Sequence, residues 1–223
     1  DHAFSRYNVQ VQLANANVQS DLIVSYQDKF YGWPGAYTGF ASLPETDDTQ
    51  TTLVMLNQRR VSGSGWFEYG AFYRHLEDDY DFNRNDVESG TPGSFEHETR
   101  VVALGFQGAQ RVGRIDWRYG GQVTKDELVR STDLTNGYFT DRTYTTLTVV
   151  PSFDTDLANG SVLTWRAGLT VDHSNRDDTE VSPLIGLSLD RSDAAGSTLW
   201  ALEYAATARE WSQNMLEKII QSF

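Results

Sequence analysis

Cysteine is absent from the 223 residues, which excludes disulfides and thiolate metal sites and fits an exported bacterial protein. Basic residues are also scarce, since 18 Lys and Arg stand against 31 Asp and Glu and leave a formal net charge of −13. Binding to a phosphate backbone needs clustered positive charge, so we expect no nucleic-acid partner. The sequence also lacks any run of eighteen or more apolar residues, which excludes a helical membrane span.

Catalytic signatures are missing as well. No nucleophile elbow, phosphate loop or dinucleotide fingerprint occurs, and His2, His75 and His97 lack the spacing of a metal site. Asp172 and His173 could suggest the Asp and His couple of ten-stranded outer-membrane proteases. However, neighbouring residues of a strand point to opposite faces, so this pair would not converge on one water molecule. We therefore expect no enzymatic activity.

Alternation of apolar and polar residues is the strongest pattern that the sequence contains. It predicts ten strands, with aromatic and aliphatic residues on one face and Arg, Asp, Gln and Thr on the other. Between Arg114 and Gln122, for example, Ile115, Trp117 and Tyr119 share one face. The ten predicted strands are Tyr7–Leu13, Asp21–Tyr26, Thr51–Arg60, Trp66–His75, Thr99–Gln107, Arg114–Gln122, Tyr144–Phe153, Leu163–Asp172, Val181–Leu189 and Thr198–Ala206.

The links between these strands alternate in length. Short links rich in Gly, Asn, Asp and Ser are typical of hairpin turns. Long links at Gln27–Gln50, Glu77–Glu98 and Thr124–Arg142 lie between them, and His173–Glu180 is a less extended fourth. Short turns at one end and long loops at the other are typical of outer-membrane barrels.

This pattern predicts an all-β fold, an antiparallel up-and-down transmembrane β-barrel of a bacterial outer membrane, over residues 1–208. The mean hydropathy of −0.49 agrees with it, because only alternate side chains of such a barrel face lipid. Charged residues on the other face would be costly in a sandwich core but not in a water-filled lumen. The strand count places both chain ends at the long-loop side, so we expect a piece of a larger barrel. Residues 209–223 show helical spacing and predict a C-terminal amphipathic helix.

Two segments carry a resemblance to a known family. Residues 26–60 read YQDKFYGWPGAYTGFASLPETDDTQTTLVMLNQRR, and residues 69–107 include FYRHLEDDYDFNR. Both resemble the middle of TonB-dependent receptors of the cobalamin-receptor branch. The resemblance implies a 22-stranded barrel that takes up a large scarce nutrient, such as cobalamin, a siderophore or another metal chelate. It also implies a TonB complex as partner, acting through a plug domain that is not recognisable in this sequence.

Two candidate sites lie in the predicted long loops. Asp79, Asp81, Asn83 and Asn85 alternate as calcium ligands do, although Arg84 stands where the tight-turn Gly belongs. A solvated acidic loop is the alternative, and we expect no other cofactor. The second candidate is a set of loop aromatics that could stack on a large ligand or anchor the barrel at headgroup depth. Its members are Tyr31, Trp33, Tyr37 and Phe40.

Three functions remain open from the sequence. The first is energised nutrient uptake as part of a TonB-dependent receptor. The second is a stand-alone ten-stranded outer-membrane barrel that serves as a pore, an adhesin or an omptin-like protease. The third is a soluble lipocalin-like barrel, in which the apolar face would line the interior. The side on which Trp117 and Trp165 lie separates the third from the other two.

Overall fold

A computed structural model describes residues 2–37, 39, 43–86, 93–132, 140–158, 160–193 and 196–205. They form one antiparallel sheet of ten strands, in which every strand pairs with the next one along the chain. This confirms the predicted all-β, up-and-down fold. The strands are β1 (His2–Ala14), β2 (Val18–Gly32), β3 (Thr46–Ser62), β4 (Gly65–Asp81), β5 (Ser94–Val112), β6 (Ile115–Ser131), β7 (Asp141–Asp156), β8 (Val162–Ser174), β9 (Glu180–Asp193) and β10 (Gly196–Ala205).

Most strands are longer than the alternation predicted, and the long loops are correspondingly shorter. The predicted loop Gln27–Gln50 contracts to residues 33–45, and Glu77–Glu98 contracts to residues 82–93. Backbone ladders continue past the point where the alternation of apolar and polar residues stops, and the added strand segments carry mainly acidic, polar and aromatic residues. The alternation of short and long links between strands is also lost late in the chain. The link at residues 157–161 is as long as the link at residues 175–179.

Strand register places the apolar positions of all ten strands on one face of the sheet, which we call the apolar face. The opposite face is the polar face. Leu13 begins one row of directly opposed residues across the apolar face. The row continues through Ser20, Gln58, Tyr69, Phe106, Gly121, Leu147, Val171 and Val181.

Seven side chains that are buried within the strands lie on the polar face, although no second layer covers this face within the described residues. They are Ser25, Leu53, Met55, Glu68, Ala103, Thr146 and Ser182. Side chains on the concave side of a bent sheet crowd one another, so this burial indicates that the sheet curls with its polar face inside. No helix in the described ranges is long and apolar enough to cross a membrane.

The sheet has two edges, because no ladder joins β1 to β10 within the described residues. Both edge strands are exposed along almost their whole length. Ten strands are present in the part of the chain that the structure describes, so the predicted twenty-two find no support. The predicted helix at 209–223 lies outside the described residues.

Candidate functional site

Large apolar side chains form a continuous exposed belt on the apolar face. Leu104 is 55% exposed, Leu169 47% and Trp165 44%, in the middle of the sheet rather than at its edges. From Leu163 to Val171 the belt spans nine residues of β8. Nine residues rise roughly 30 Å along a strand, or roughly 23 Å vertically in a strand tilted by about 40°. That height matches the apolar band of an outer-membrane barrel, about 25 Å tall.

Two carboxylates of the polar face have hydrogen-bond or ion-pair partners on the same face. Glu68, 8% exposed, accepts a hydrogen bond from Asn57 at 3.0 Å and lies 3.9 Å from the guanidinium of Arg59. Asp172 accepts hydrogen bonds from Tyr144 at 2.7 Å and Thr146 at 2.6 Å. A face of this composition suits a water-filled interior, since its charges keep hydrogen-bond partners when apolar residues point the other way.

Strands β2 to β5 extend past the belt at the long-loop end and carry a cluster of acidic and aromatic residues on the polar face. Tyr31, Asp47, Tyr80 and Phe95 lie directly opposite one another on these four strands. Tyr80 stacks on Phe95 with ring centroids 6.0 Å apart. With Tyr37, Glu45 and Asp78, these residues form what we call the rim cluster.

Glu45 holds the loop after β2 against this cluster. Its carboxylate accepts both the backbone N–H of Tyr37, at 2.9 Å, and the hydroxyl of Tyr80, at 2.8 Å. It is only 1% exposed, and its own carbonyl accepts the N–H of Trp33 at 2.8 Å. Sequence reasoning missed Glu45, Tyr80 and Phe95, because only the register brings these three residues of separate segments together.

Asp47 is a carboxyl group of the rim cluster whose ionisation is strongly disturbed. Burial raises the pKa of Asp47 to about 6, with further contributions from a hydrogen bond with Asp78 and from the charges of Asp78 and Asp48. Its Oδ1 atom is buried and has no hydrogen-bond partner among the described residues, and the same holds for Oδ1 of Asp48. Burial also raises the pKa of Asp48, and the negative charge of Asp28 raises it further. This end of the sheet therefore favours a proton or a cation.

A stability measurement tests this assignment. The pKa of Asp47 is higher in the folded chain than its ordinary 3.8, so the folded chain binds the proton more tightly than the unfolded chain. The stabilisation by protonated Asp47 is therefore complete below pH 3.8 and is lost as pH rises through about 6. Asp47→Asn should therefore stabilise the fold at pH 7.5, on the order of 1 kcal/mol, and change little at pH 4. Denaturant unfolding in detergent, followed by Trp fluorescence, measures both. Asp156→Asn, at the short-turn end, is the matched control and should leave both values unchanged.

The predicted loop aromatics are partly brought together. Tyr31 belongs to β2 rather than to a loop and contacts Trp33 edge-on at 6.1 Å. Tyr37 contacts Tyr80 edge-on at 5.5 Å. Phe40 lies outside the described residues. Ligand binding by these residues stays a prediction, but Tyr31 and Tyr37 now lie in the same cluster of carboxylates and rings.

The calcium candidates do not form a single loop. Asp79 and Asp81 are part of β4, where alternation places both on the apolar-face side. Asn83 and Asn85 follow in the link, where Asn83 Oδ1 accepts the N–H of Asn85 at 3.3 Å. Burial raises the pKa of Asp79, as does the charge of Glu96. The expected loop was wrong because β4 continues through the acidic segment, and calcium binding itself stays a prediction.

A band of charges borders the belt on the apolar face. His75 Nε2 lies 2.8 Å from Oε1 of Glu98, and with Glu77 these side chains place one ligand atom each within 4.8 Å of one another. They could hold a divalent cation, although Arg100 lies 3.7 Å from Glu98 and offsets part of its charge. A register shift between Glu98 and Thr99 turns Arg130 onto this face, where it contacts Glu96 at 2.7 Å.

Comparison with known proteins found similarity among solved structures only. No family model and no curated protein matches the chain. Among solved structures, it is similar to the crystal structure of the beta domain of the Bordetella autotransporter BrkA. The two are 14% identical, the match covers 92% of this chain and 84% of that one, and the TM-score is 0.37. A TM-score this low does not assign the chain to that class.

The resemblance to TonB-dependent receptors is corrected by this finding. The structural neighbour is an autotransporter beta domain, which is a different class of outer-membrane barrel. The family assignment was therefore wrong, and the 22-stranded barrel and the cobalamin or siderophore cargo that it implied are unsupported. The two quoted segments form ordinary strand pairs, β2 with β3 and β4 with β5.

Proposed function

We propose that the chain is a stand-alone ten-stranded β-barrel of a bacterial outer membrane, with the belt in contact with lipid and the polar face around a water-filled interior. The exposed apolar belt across all ten strands carries this proposal. Soluble proteins rarely expose contiguous apolar patches of more than a few hundred Å², and this one crosses the whole sheet. Lipid is the solvent that makes such a face stable.

Insertion into lipid tests the proposal. The chain, unfolded in urea and diluted into phospholipid vesicles, should float with the vesicles and keep its belt protected from proteinase. Diluted without lipid or detergent, it should aggregate, because the belt then faces water. A monodisperse, soluble and folded chain under the second condition would contradict the membrane assignment and favour the lipocalin-like alternative.

The rim cluster supports a binding role for this barrel, close to the adhesin alternative. A ten-stranded barrel has an interior only slightly wider than the side chains can fill, so wide solute passage is disfavoured. The clustered carboxylates and rings of Tyr37, Asp47, Asp78 and Tyr80 instead suit a positively charged ligand group, which carboxylates neutralise and aromatic faces attract. Such a ligand would approach from the long-loop side.

A labelled tri-lysine peptide is a suitable probe for this role. It should bind the vesicle-inserted chain at pH 7.5 and bind several-fold more weakly at pH 5, because protonation of Asp47 removes a negative charge. Asp47→Asn should weaken binding at pH 7.5 and remove most of the pH dependence, whereas Asp156→Asn should change neither. Equal binding by all three chains would place any cation affinity outside the rim cluster.

The geometry of Asp172 and His173, which are adjacent in the sequence, gives the protease alternative no support. Asp172 lies on the polar face, bonded to Tyr144 and Thr146, whereas His173 lies on the apolar-face side and contacts Thr179 at 2.9 Å. The two side chains thus point to opposite faces of β8. We accordingly propose a non-enzymatic role.

A further inference from the structure

We propose that β1 and β10 of the same chain pair with each other and close the barrel, in an antiparallel register in which the numbers of opposed residues sum to 209. This inference rests on the proposed membrane function. In lipid, an edge strand leaves backbone N–H and C=O groups without partners, each at a cost of several kcal/mol. Two exposed edges in one chain therefore need partners, and each edge can serve as the partner of the other.

The nine observed ladders determine how far a row of opposed residues is displaced along β1 when the barrel closes. We call this displacement, counted in residues, the shift. The row that starts at Leu13, near the short-turn end of β1, reaches Val181 near the long-loop end of β9. Opposed residues of β9 and β10 sum to 389, so the row would continue at position 208, beyond Ala205. Without a shift, β10 and β1 would therefore not overlap. Closure requires the row to return to β1 closer to its N-terminal end.

Barrel geometry limits this shift to a few values. A strand tilt of about 35–45° in ten strands, with about 3.3 Å per residue and about 4.8 Å between strands, needs a shift of about 10 to 14 residues. The apolar face must also stay continuous, so odd positions of β1 must oppose even positions of β10, as Tyr7 and Leu202 require. Together these conditions leave register sums of about 211, 209 and 207, for shifts of about 10, 12 and 14.

The ends of equivalent strand pairs favour the lower two sums. The odd-numbered strands run towards a short turn, and each of β3, β5, β7 and β9 also pairs with the strand before it in the chain. Each of these four continues for two or three residues beyond the residue that opposes the first residue of that preceding strand. Val18 opposes Arg60 while β3 ends at Ser62, and Ile115 opposes Phe153 while β7 ends at Asp156. A sum of 211 would place Gly196 opposite Asn15, beyond the end of β1, which reverses this offset. A sum of 209 leaves one residue of β1 past the partner of Gly196, and a sum of 207 leaves three.

Apolar matching then favours 209 over 207. A sum of 209 places Trp200 opposite Val9 and Leu202 opposite Tyr7, so that the belt continues across the junction. A sum of 207 would place Ser5 opposite Leu202, inside the belt, whereas a sum of 209 places Ser5 opposite Tyr204, next to the end of β10. The register of 209 also corresponds to a tilt of about 40°, in the middle of the range for such barrels.

Pairing within one chain is favoured over pairing with a second copy. Burial of Ser25, Met55, Glu68 and Thr146 on the polar face indicates a sheet that already curls towards closure. Two edges held in one chain also meet at a high effective concentration, whereas a second copy loses translational and rotational freedom on association.

Cysteine scanning tests both the closure and its register, and the absence of native cysteine leaves no competing thiol. Leu202→Cys is combined in turn with Ser5→Cys, Tyr7→Cys, Asn8→Cys and Val9→Cys in the full chain, inserted into phospholipid vesicles. A short bis-thiosulfonate reagent is added, and linked peptides are identified by mass spectrometry. A second matched pair, Asn8→Cys with Ala201→Cys, samples the polar face in the same register.

The yield of links within one chain should be about tenfold higher for cysteines at Tyr7 and Leu202, and at Asn8 and Ala201, than for cysteines at Asn8 and Leu202. The last two side chains face opposite sides of the sheet. A maximum with Ser5 or Val9 would overturn the register. Links that appear only between two chains would overturn closure within one chain. Absence of links in chains that float with vesicles would overturn closure and leave the membrane assignment intact, whereas failure to float would remove the membrane assignment itself.

Discussion

Leu104→Arg should destabilise the vesicle-inserted or detergent-bound chain by about 2–4 kcal/mol, which is the largest effect that we expect from a single side chain. Leu104 is 55% exposed on the apolar face and lies opposite Ala71 and Val123. Under the proposed membrane assignment, a guanidinium at this position would replace an aliphatic group in contact with hydrocarbon. Equilibrium unfolding in urea, monitored by Trp fluorescence, measures the loss.

The matched control for this variant is Gln122→Arg. Gln122 precedes Val123 in β6 and lies on the polar face, where its amide nitrogen is 3.4 Å from the hydroxyl of Thr124. Under the same assignment, an arginine there would face the water-filled interior, so the stability should change by less than about 1 kcal/mol. If Gln122→Arg were the damaging change and Leu104→Arg were tolerated, the apolar face would line the interior and the membrane assignment would fail.

Gly65→Ala should cost about 3 kcal/mol and is the second large effect, because it strains the turn between β3 and β4. Gly65 has φ of +154°, and a Cβ atom at this position would lie 1.9 Å from the carbonyl oxygen of Ala109. That oxygen belongs to the backbone of β5, so relief requires one strand to shift against the next. Thermal or denaturant unfolding in detergent provides the measurement.

Gly63→Ala, two residues earlier, is the control for this change. A Cβ atom at Gly63 meets nothing within 4 Å, so the substitution should leave stability within about 0.5 kcal/mol of the parent chain. Equal costs for the two glycines would mean that the close approach of Gly65 to β5 does not contribute to stability. A loss confined to Gly65 would support the ladder between β4 and β5 as observed.

The strand cores could be predicted because their alternation is a local property. For β8 the predicted Leu163–Asp172 differs from the observed Val162–Ser174 by one residue at one end and two at the other. For β5 the error is larger, since Thr99–Gln107 was predicted and Ser94–Val112 is observed. The extensions of β5 are held by ladders to β4 and β6, and a single sequence carries no signal of pairing partners.

The candidate site was harder to predict than the strands. Tyr31 and Tyr37 were identified from their aromatic character, but Asp47 and Tyr80 were not among the candidates. These residues meet because Tyr31, Asp47 and Tyr80 occupy the same level of three neighbouring strands. Likewise, the position of Arg130 beside Glu96 depends on a register shift that an alternation pattern does not contain.

By itself, the sequence determined the number of strands and the division of their side chains into two faces, because successive residues of a strand point to opposite sides whatever the strand pairs with. Only the tertiary structure decided the register, and with it the rim cluster, the stagger of the sheet and the two edges that remain to be joined. Register depends on contacts between segments far apart in the chain, and shifting a strand by two residues preserves its two faces while changing every neighbour.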